Sequence, residues 1–353
     1  MQLASLGWNQ RFAALFVPHA SAGLAPGRVL QQFNSIYTVA TANGELRAQL
    51  SGHLRYEAAV GELPVTGDWV VLRIPPGQGA GQIQAVLPRS TQFSRRAAGK
   101  AEREQIVAAN LDYAFLVTGL DNDFSPRRIE RYLAAAWESG STPVVILNKL
   151  DLCADPAFRI RAVEEVAQGV AIHAVSALRG DGLEELACYC LPGKTVALLG
   201  SSGVGKSTLI NHLMGSESQS TQSVGEDGRG RHTTTRRELL FCASGGMVID
   251  TPGMRELQLW ENDEGLQLTF DEIETLARNC RYRDCQHQGE PGCAVLAAVQ
   301  AGTLRTDRLA SLHKLQRELE MRAEPTAELA EKRRWKNIHK SVKRFMKESP
   351  KYK

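Results

Sequence analysis

Long apolar runs are missing from this chain: nothing in its 353 residues approaches the ~20 that a bilayer-crossing helix needs. The short stretch Phe12 to Val17 lacks the basic start and small-residue cleavage site of a secretory leader. A disulfide framework is missing too. Of the seven cysteines, Cys280, Cys285 and Cys293 cluster with His287, while Cys153, Cys188, Cys190 and Cys242 are scattered. These absences argue against a membrane protein and against a disulfide-built secreted scaffold, so the expected location is the cytoplasm. What is present is ordinary for a globular chain, 43% hydrophobic and 23% charged, and long enough for two or three domains with separate cores.

The net charge of +3 hides an asymmetry. Between Lys332 and Lys353 there are ten Lys or Arg and one acid, a local charge of +9, which leaves −6 for residues 1–331. Basic charge gathered at one end suits a polyanionic partner.

The strongest motif is Gly200-Ser201-Ser202-Gly203-Val204-Gly205-Lys206-Ser207-Thr208, which fits G-x-x-x-x-G-K-[ST] between a strand-like run, Thr195 to Leu199, and a helix-like run, Ser207 to Met214. Its glycines let backbone N–H groups and a helix N-terminus face phosphate oxygens. Lys206 is placed to reach the β and γ phosphates, and Ser207 to ligate Mg²⁺. The loop alone does not choose a base. Asn148-Lys149-Leu150-Asp151, after the strand Pro143 to Leu147, is an N-K-x-D sequence that does. The Asp151 carboxylate accepts from guanine N1–H and N2–H, whereas adenine has an acceptor at N1 and no N2 amino group. Asn148 is expected to donate toward N7, the Lys149 stem to lie over the base, and Ala177 of Ser176-Ala177-Leu178 to present its N–H to O6. Asp250-Thr251-Pro252-Gly253 matches D-x-x-G, with Asp250 on Mg²⁺ through water and the Gly253 N–H on the γ-phosphate. Between these lies Gly225 to Arg237, containing Gly230-Arg231-His232-Thr233-Thr234-Thr235; either Thr234 or Thr235 serves as the Mg²⁺-binding switch hydroxyl, and spacing does not decide which.

In chain order, residues 1–34 form an N-terminal extension with a short helix around Trp8 to Phe16 and a Gly/Pro-rich connection. Residues 35–105 alternate in short segments (Tyr37 to Thr41, Leu46 to Leu50, Trp69 to Ile74, Gln82 to Leu87) separated by turn signals, which reads as an OB-type barrel of about five strands followed by a basic linker. From 106 to 265 strands and helices alternate, the pattern of a mostly parallel α/β sheet with helices on both faces. Residues 266–353 hold the Cys/His cluster, helices over Thr306 to Leu319 and Ala327 to Lys347, and the basic tail.

The nucleotide motifs resemble those of the GTPase superfamily, but Asn148 to Asp151 and Ser176 to Leu178 precede the phosphate loop instead of following it, which is a circular permutation. With the barrel in front, G-R-H-T-T-T, D-T-P-G-M-R-E-L and the Cys/His cluster behind, the chain from about Tyr37 to the cluster closely resembles the ribosome-small-subunit-dependent GTPase A (RsgA, YjeQ-type) family. That resemblance implies an OB barrel, a permuted GTPase domain, a zinc domain and a role in late maturation of the small ribosomal subunit, with that subunit and its rRNA as partners and the protein acting as a monomer. The alternatives are a GTPase of another RNA process, such as tRNA modification or large-subunit assembly, and a non-catalytic RNA-binding platform.

Many small GTPases carry a glutamine after D-x-x-G to orient the attacking water; here Met254 stands there and cannot. His232 is the nearest candidate, and the resemblance points to it as well; contact with RNA or with its own loop is the competing role. Slow turnover without a partner is the expectation. Cys280, Cys285, His287 and Cys293, in the spacing C-x₄-C-x-H-x₅-C, supply four donors for a closed, structural Zn²⁺ site. In the last segment Trp335, Ile338, Val342 and Phe345 recur at helical spacing among Lys and Arg, a basic amphipathic helix that suits RNA, a membrane surface or its own domain; its charge of +9 together with the resemblance makes rRNA the expected partner.

Overall fold

The computed structural model describes residues 2–20, 23–58, 61–75, 80–96, 104–215, 237–250 and 264–320. It divides into two compact units, Met1–Thr269 and Phe270–Lys353.

The first unit opens with helix α1 (Gln10–Phe16), whose first turn is capped by the Asn9 side chain accepting from Phe12 N at 3.2 Å. Trp8 and Phe12 pack their rings on the buried Trp69, at 4.7 and 5.8 Å between centroids. Five strands follow: β1 (Leu24–Phe33), β2 (Ile36–Thr41), β3 (Gly44–Leu50), β4 (Trp69–Arg73) and β5 (Ala80–Val86), with helix α2 (Gly52–Glu57) between β3 and β4. β1 pairs with β2, β2 with β3, β3 in parallel with β5, β5 with β4, and β4 back with β1. The ring is closed, and its inward residues Val29, Tyr37, Val39, Ala48, Val70, Leu72 and Ile83 form one core.

The barrel therefore starts before residue 35. The N-terminal extension over 1–34 is corrected by β1, which lies where Pro26-Gly27 reads as a connection. Proline and glycine are depleted in strands, yet here they sit at the closure. A Cβ on Gly27 would come within 2.5 Å of Val39 Cγ1 and 2.6 Å of Leu72 Cδ1, so the two flanking strands can close on β1 only because Gly27 has none. The stretch read as a basic linker likewise contains a hairpin, β6 (Gln92–Arg96) and β7 (Glu104–Ala109).

The remaining strands are β8 (Tyr113–Gly119), β9 (Thr142–Asn148), β10 (Ala171–Ala174), β11 (Thr195–Leu199), β12 (Glu238–Phe241) and β13 (Met247–Asp250). They order in space as β10-β9-β8-β11-β13-β12, all parallel except β12, and Gln31↔Glu238 pairing of β1 with β12 joins barrel and α/β sheet into one sheet of eleven strands. Helices α3 (Pro126–Glu138), α4 (Pro156–Glu164) and α5 (Lys206–Met214) connect the strands, α3 and α4 each with proline in the first turn, where its missing N–H costs nothing. The segment Leu183–Tyr189 is a 3₁₀ helix. Arg28, on β1, is buried between the barrel and this sheet. It donates to Leu6 O, to Gly67 O at 3.2 Å and to Asn110 O at 2.9 Å, and burial lowers its pKa to about 10.

α6 (Glu264–Thr269) ends the first unit. The second contains α7 (Asp271–Ala277), α8 (Ala294–Gln300) and helical residues 306–320. Its Arg308 ties α7 down through Glu272 Oε1 at 2.6 Å and lies over the Phe270 ring at 4.2 Å. The expected helix Ala327 to Lys347 and the basic tail Lys332 to Lys353 lie outside the described residues. Among the described residues no helix is long and apolar enough to cross a membrane.

Candidate functional site

Because β8, β9, β10, β11 and β13 are parallel, their carboxyl ends share one edge of the sheet. That edge brings Asn148, Ser176, Gly200 and Asp250 together from four separate strands, as ligand sites in such sheets require. Between β11 and α5 the phosphate loop turns through Gly200 (φ +156°) and Gly205 (φ +98°). A Cβ at Gly200 would run into the Val117 carbonyl, and one at Gly205 into Asn148 Nδ2, so both positions need glycine for conformation and for space. Ser202, Gly203 and Ser207 are exposed on the open side, while Val204 is buried beneath. Lys206 Nζ folds back over the loop to Gly200 O (2.7 Å) and Ser201 O (2.6 Å). Thr208 lies in the first turn of α5. Asp250 ends β13 beside β11, in register with Glu238 of β12.

Asn148 is the junction of the site and is 2% exposed. Its Nδ2 donates to Val204 O of the phosphate loop at 2.7 Å, and its Oδ1 accepts from Ala177 N at 2.9 Å. The Ala177 N–H expected to face guanine O6 is thus held by Asn148 here, and one Nδ2 proton is spent on the loop. Ser176 Oγ, fully buried, donates to Asp151 Oδ1 at 2.5 Å and accepts from Arg179 N at 3.2 Å. The bond aims the Asp151 carboxylate and leaves Oδ2 for a ligand.

Lys149 adopts a left-handed backbone (φ +65°) and reaches Asp121 Oδ2 at 2.7 Å. Burial pushes the Asp121 carboxyl up, but the Lys149 hydrogen bond and charge and the Asp123 amide outweigh it, holding the pKa below the ordinary value. Sequence reasoning missed Asp121 and Asp123, in the turn after β8, and Arg128, in the first turn of α3: Asp121 holds Lys149, while Asp123 and Arg128 reach Ser201 of the phosphate loop. The available signal was two acids, Asp121 and Asp123, just past the carboxyl end of a parallel strand. His232, Thr234, Thr235 and Gly253 lie outside the described residues.

In the second unit the ligand atoms of Cys280, Cys285, His287 and Cys293 all lie within 4.8 Å of one another. Cys280 Sγ is 3.7 Å from His287 Nδ1 and 3.9 Å from Cys293 Sγ, and His287 Nδ1 is 3.4 Å from Cys293 Sγ. A tetrahedron with metal–sulfur arms of about 2.3 Å has edges of about 3.8 Å, so these separations fit four ligands around one ion. His287 takes a left-handed backbone (φ +58°), and burial, reinforced by His313, lowers its pKa, which favours the neutral ligating imidazole. Glu290 gathers the amides of Gln286, Gln288 and Gly289 at 2.8, 2.8 and 3.1 Å, fixing the loop that carries His287. Cys293 caps α8, its Sγ accepting from Leu296 N at 3.4 Å.

The RsgA GTPase family model matches residues 86–260. An ABC transporter model also matches, over 183–342, a range that includes the phosphate loop. A curated relative from Opitutus terrae, "Small ribosomal subunit biogenesis GTPase RsgA", is 49% identical over 96% of each chain. The crystal structure of YjeQ from Thermotoga maritima is 30% identical with a TM-score of 0.65, covering 84% of this chain and 98% of that one. The crystal structure of YloQ, described as a circularly permuted GTPase, shares the fold at 24% identity and a TM-score of 0.64, covering 86% of this chain and 98% of that one.

Proposed function

The chain belongs to the RsgA GTPase family, and from that premise we propose that it binds the small ribosomal subunit and couples GTP hydrolysis to a late step of that subunit's maturation. The observation that carries this is the 49% identity, over nearly the whole of both chains, to a relative named for small-subunit biogenesis. GTP and GDP with Mg²⁺ are what such a GTPase works on, and the edge of the sheet described above suits them.

In this reading guanine is recognised by Asp151 through Oδ2, with Asn148, Lys149, Ser176 and Ala177 shaping the base pocket. The amides of the loop from Gly200 to Gly205 and the Lys206 ammonium take the phosphates, and Ser207, Asp250 and one of Thr234 and Thr235 serve Mg²⁺. Gly253 bonds the γ-phosphate when it is present. His232 orients the attacking water in place of the glutamine that Met254 displaces; His232→Ala should then lower kcat and leave the KM for GTP nearly unchanged. Cys280, Cys285, His287 and Cys293 hold one structural Zn²⁺, which stabilises a loop too small to have its own core. The barrel and the basic stretch Lys332 to Lys353 supply the contacts to rRNA, and the protein acts as a monomer.

Co-sedimentation with purified ribosomal subunits tests the reading. The full chain should pellet with small subunits, with affinity falling steeply as salt rises, since each phosphate contact releases counterions. Deleting Lys332 to Lys353 should weaken binding and flatten the salt dependence. Equal binding to large subunits, or binding indifferent to both salt and the deletion, would contradict it.

A further inference from the structure

Beside the phosphate loop, two side chains outside every recognised motif, Asp123 and Arg128, close a ring with Ser201 of the loop. Arg128 in the first turn of α3 donates from Nη1 to Asp123 Oδ1 at 2.6 Å and to Ser201 Oγ at 3.0 Å. Ser201 Oγ in turn donates to Asp123 Oδ2. The hydroxyl of the loop's second residue is therefore donor and acceptor in one charge-assisted set, which fixes its rotamer. A cation at a helix N-terminus faces the positive end of the dipole, and Asp123 compensates it.

We propose that Asp123 and Arg128 are positioning residues for the nucleotide: acting through Ser201, they hold the phosphate loop in the shape that receives the phosphates. A loop that turns at Gly200, Gly203 and Gly205, all with positive φ, has little intrinsic preference for one shape. It is held from one side by Asn148, which grips Val204 O at 2.7 Å, and from the other by the ring at Ser201. The tethered residue also positions the lysine, because Ser201 O accepts from Lys206 Nζ at 2.6 Å. The ring is anchored to the base side as well. Asp123 N donates to Asp121 Oδ1 at 3.0 Å, and the other oxygen of Asp121 holds Lys149 at 2.7 Å, so base and phosphate ends share one frame.

The Arg128 and Asp123 side chains are about a third exposed (33% and 32%), so solvent weakens each bond and the effect is one of loop population. If the untethered loop holds the receptive shape only about a tenth to a fifth of the time, the apparent Kd rises roughly five- to tenfold. The inference rests on the nucleotide site and not on the ribosomal role.

The test is titration of the full-length chain with a fluorescent GDP analogue, alongside steady-state GTP hydrolysis. Arg128→Gln and Ser201→Ala should each raise the Kd about five- to tenfold, and the double variant no further than the weaker single, because both break one ring. Arg128→Lys should recover most of the loss. For Arg128→Gln the KM for GTP should follow the Kd while kcat stays within about twofold of the parent. Arg128→Gln binding within twofold of the parent while Lys206→Ala abolishes binding would overturn the tether. So would additive losses in the double variant, or a loss that tracks a lower melting temperature and is not recovered by Arg128→Lys. Normal GDP binding by Lys206→Ala would refute the nucleotide site itself, and the tether with it.

Discussion

Substituting Asp151 by asparagine isolates the choice of base. Ser176 Oγ donates to Asp151 Oδ1 at 2.5 Å while accepting from Arg179 N at 3.2 Å, so its proton is committed to residue 151. In Asp151→Asn the amide oxygen takes the place of Oδ1, and the NH₂ group then points where Oδ2 pointed. Guanine presents two donors there, N1–H and N2–H, and would meet a donor in place of an acceptor. Losing two hydrogen bonds to a charged group, each worth about 1.5–3 kcal/mol, comes to about 3–6 kcal/mol. That is roughly a hundredfold to ten-thousandfold in affinity. Xanthine keeps N1–H but replaces the N2 amino group with a carbonyl acceptor, which accepts from the same NH₂ group. The assay is kcat/KM for GTP and for XTP, with Kd for the matching diphosphates. The variant should lose GTP by at least a hundredfold and prefer XTP. Retention of GDP affinity within about threefold, or a general loss with no gain for XTP, would refute the placement of Asp151 against the base.

Other outcomes follow from the same contacts. Asn148→Ala leaves the Val204 carbonyl and the Ala177 amide unpaired in a site 2% exposed, and should cost about 2–4 kcal/mol of stability, read as a fall in melting temperature and weaker GDP binding. Arg28→Met strands the carbonyls of Leu6 and Asn110 at the junction of barrel and α/β sheet, leaves that of Gly67 with Asn110 Nδ2 alone, and should cost about 3–5 kcal/mol in urea unfolding, with no effect on the metal cluster. A strong chelator, or Cys280→Ser, should unfold the loop from Cys280 to Cys293 and release about one zinc per chain; a chain that retains its circular dichroism and releases no metal would contradict the zinc reading. Asp121 has a folded-state pKa below its ordinary value, so its pairing with Lys149 stabilises the fold above the unfolded carboxyl pKa of about 3.9 and is lost as pH falls through the lower folded value. The stability gap between parent and Asp121→Asn, no more than about 1 kcal/mol after solvent screening, should therefore be flat from about pH 8 to 5; a gap that titrates near neutrality would point to another group.

Much of the site was legible because its signals are local. Gly200 to Thr208, Asn148 to Asp151 and Cys280 to Cys293 each carry their chemistry within a few residues, and the alternation of strands and helices placed the first two at strand ends. What the chain order concealed was tertiary. β1 was hidden because Pro26-Gly27 resembles a turn, and only the approach of Val39 and Leu72 explains a glycine in that strand. The double grip of Asn148, the Lys149 pair with Asp121 and the ring around Ser201 join residues 28 to 78 positions apart, which no local pattern reports.

The most direct measurement of the central claim is GTP turnover by the purified chain alone, with small subunits, and with large subunits, repeated with Lys206→Ala and Ser207→Ala. The account predicts slow hydrolysis alone, stimulation by small subunits only, and none in either variant. Full-speed hydrolysis without a partner, or equal stimulation by both subunits, would contradict it.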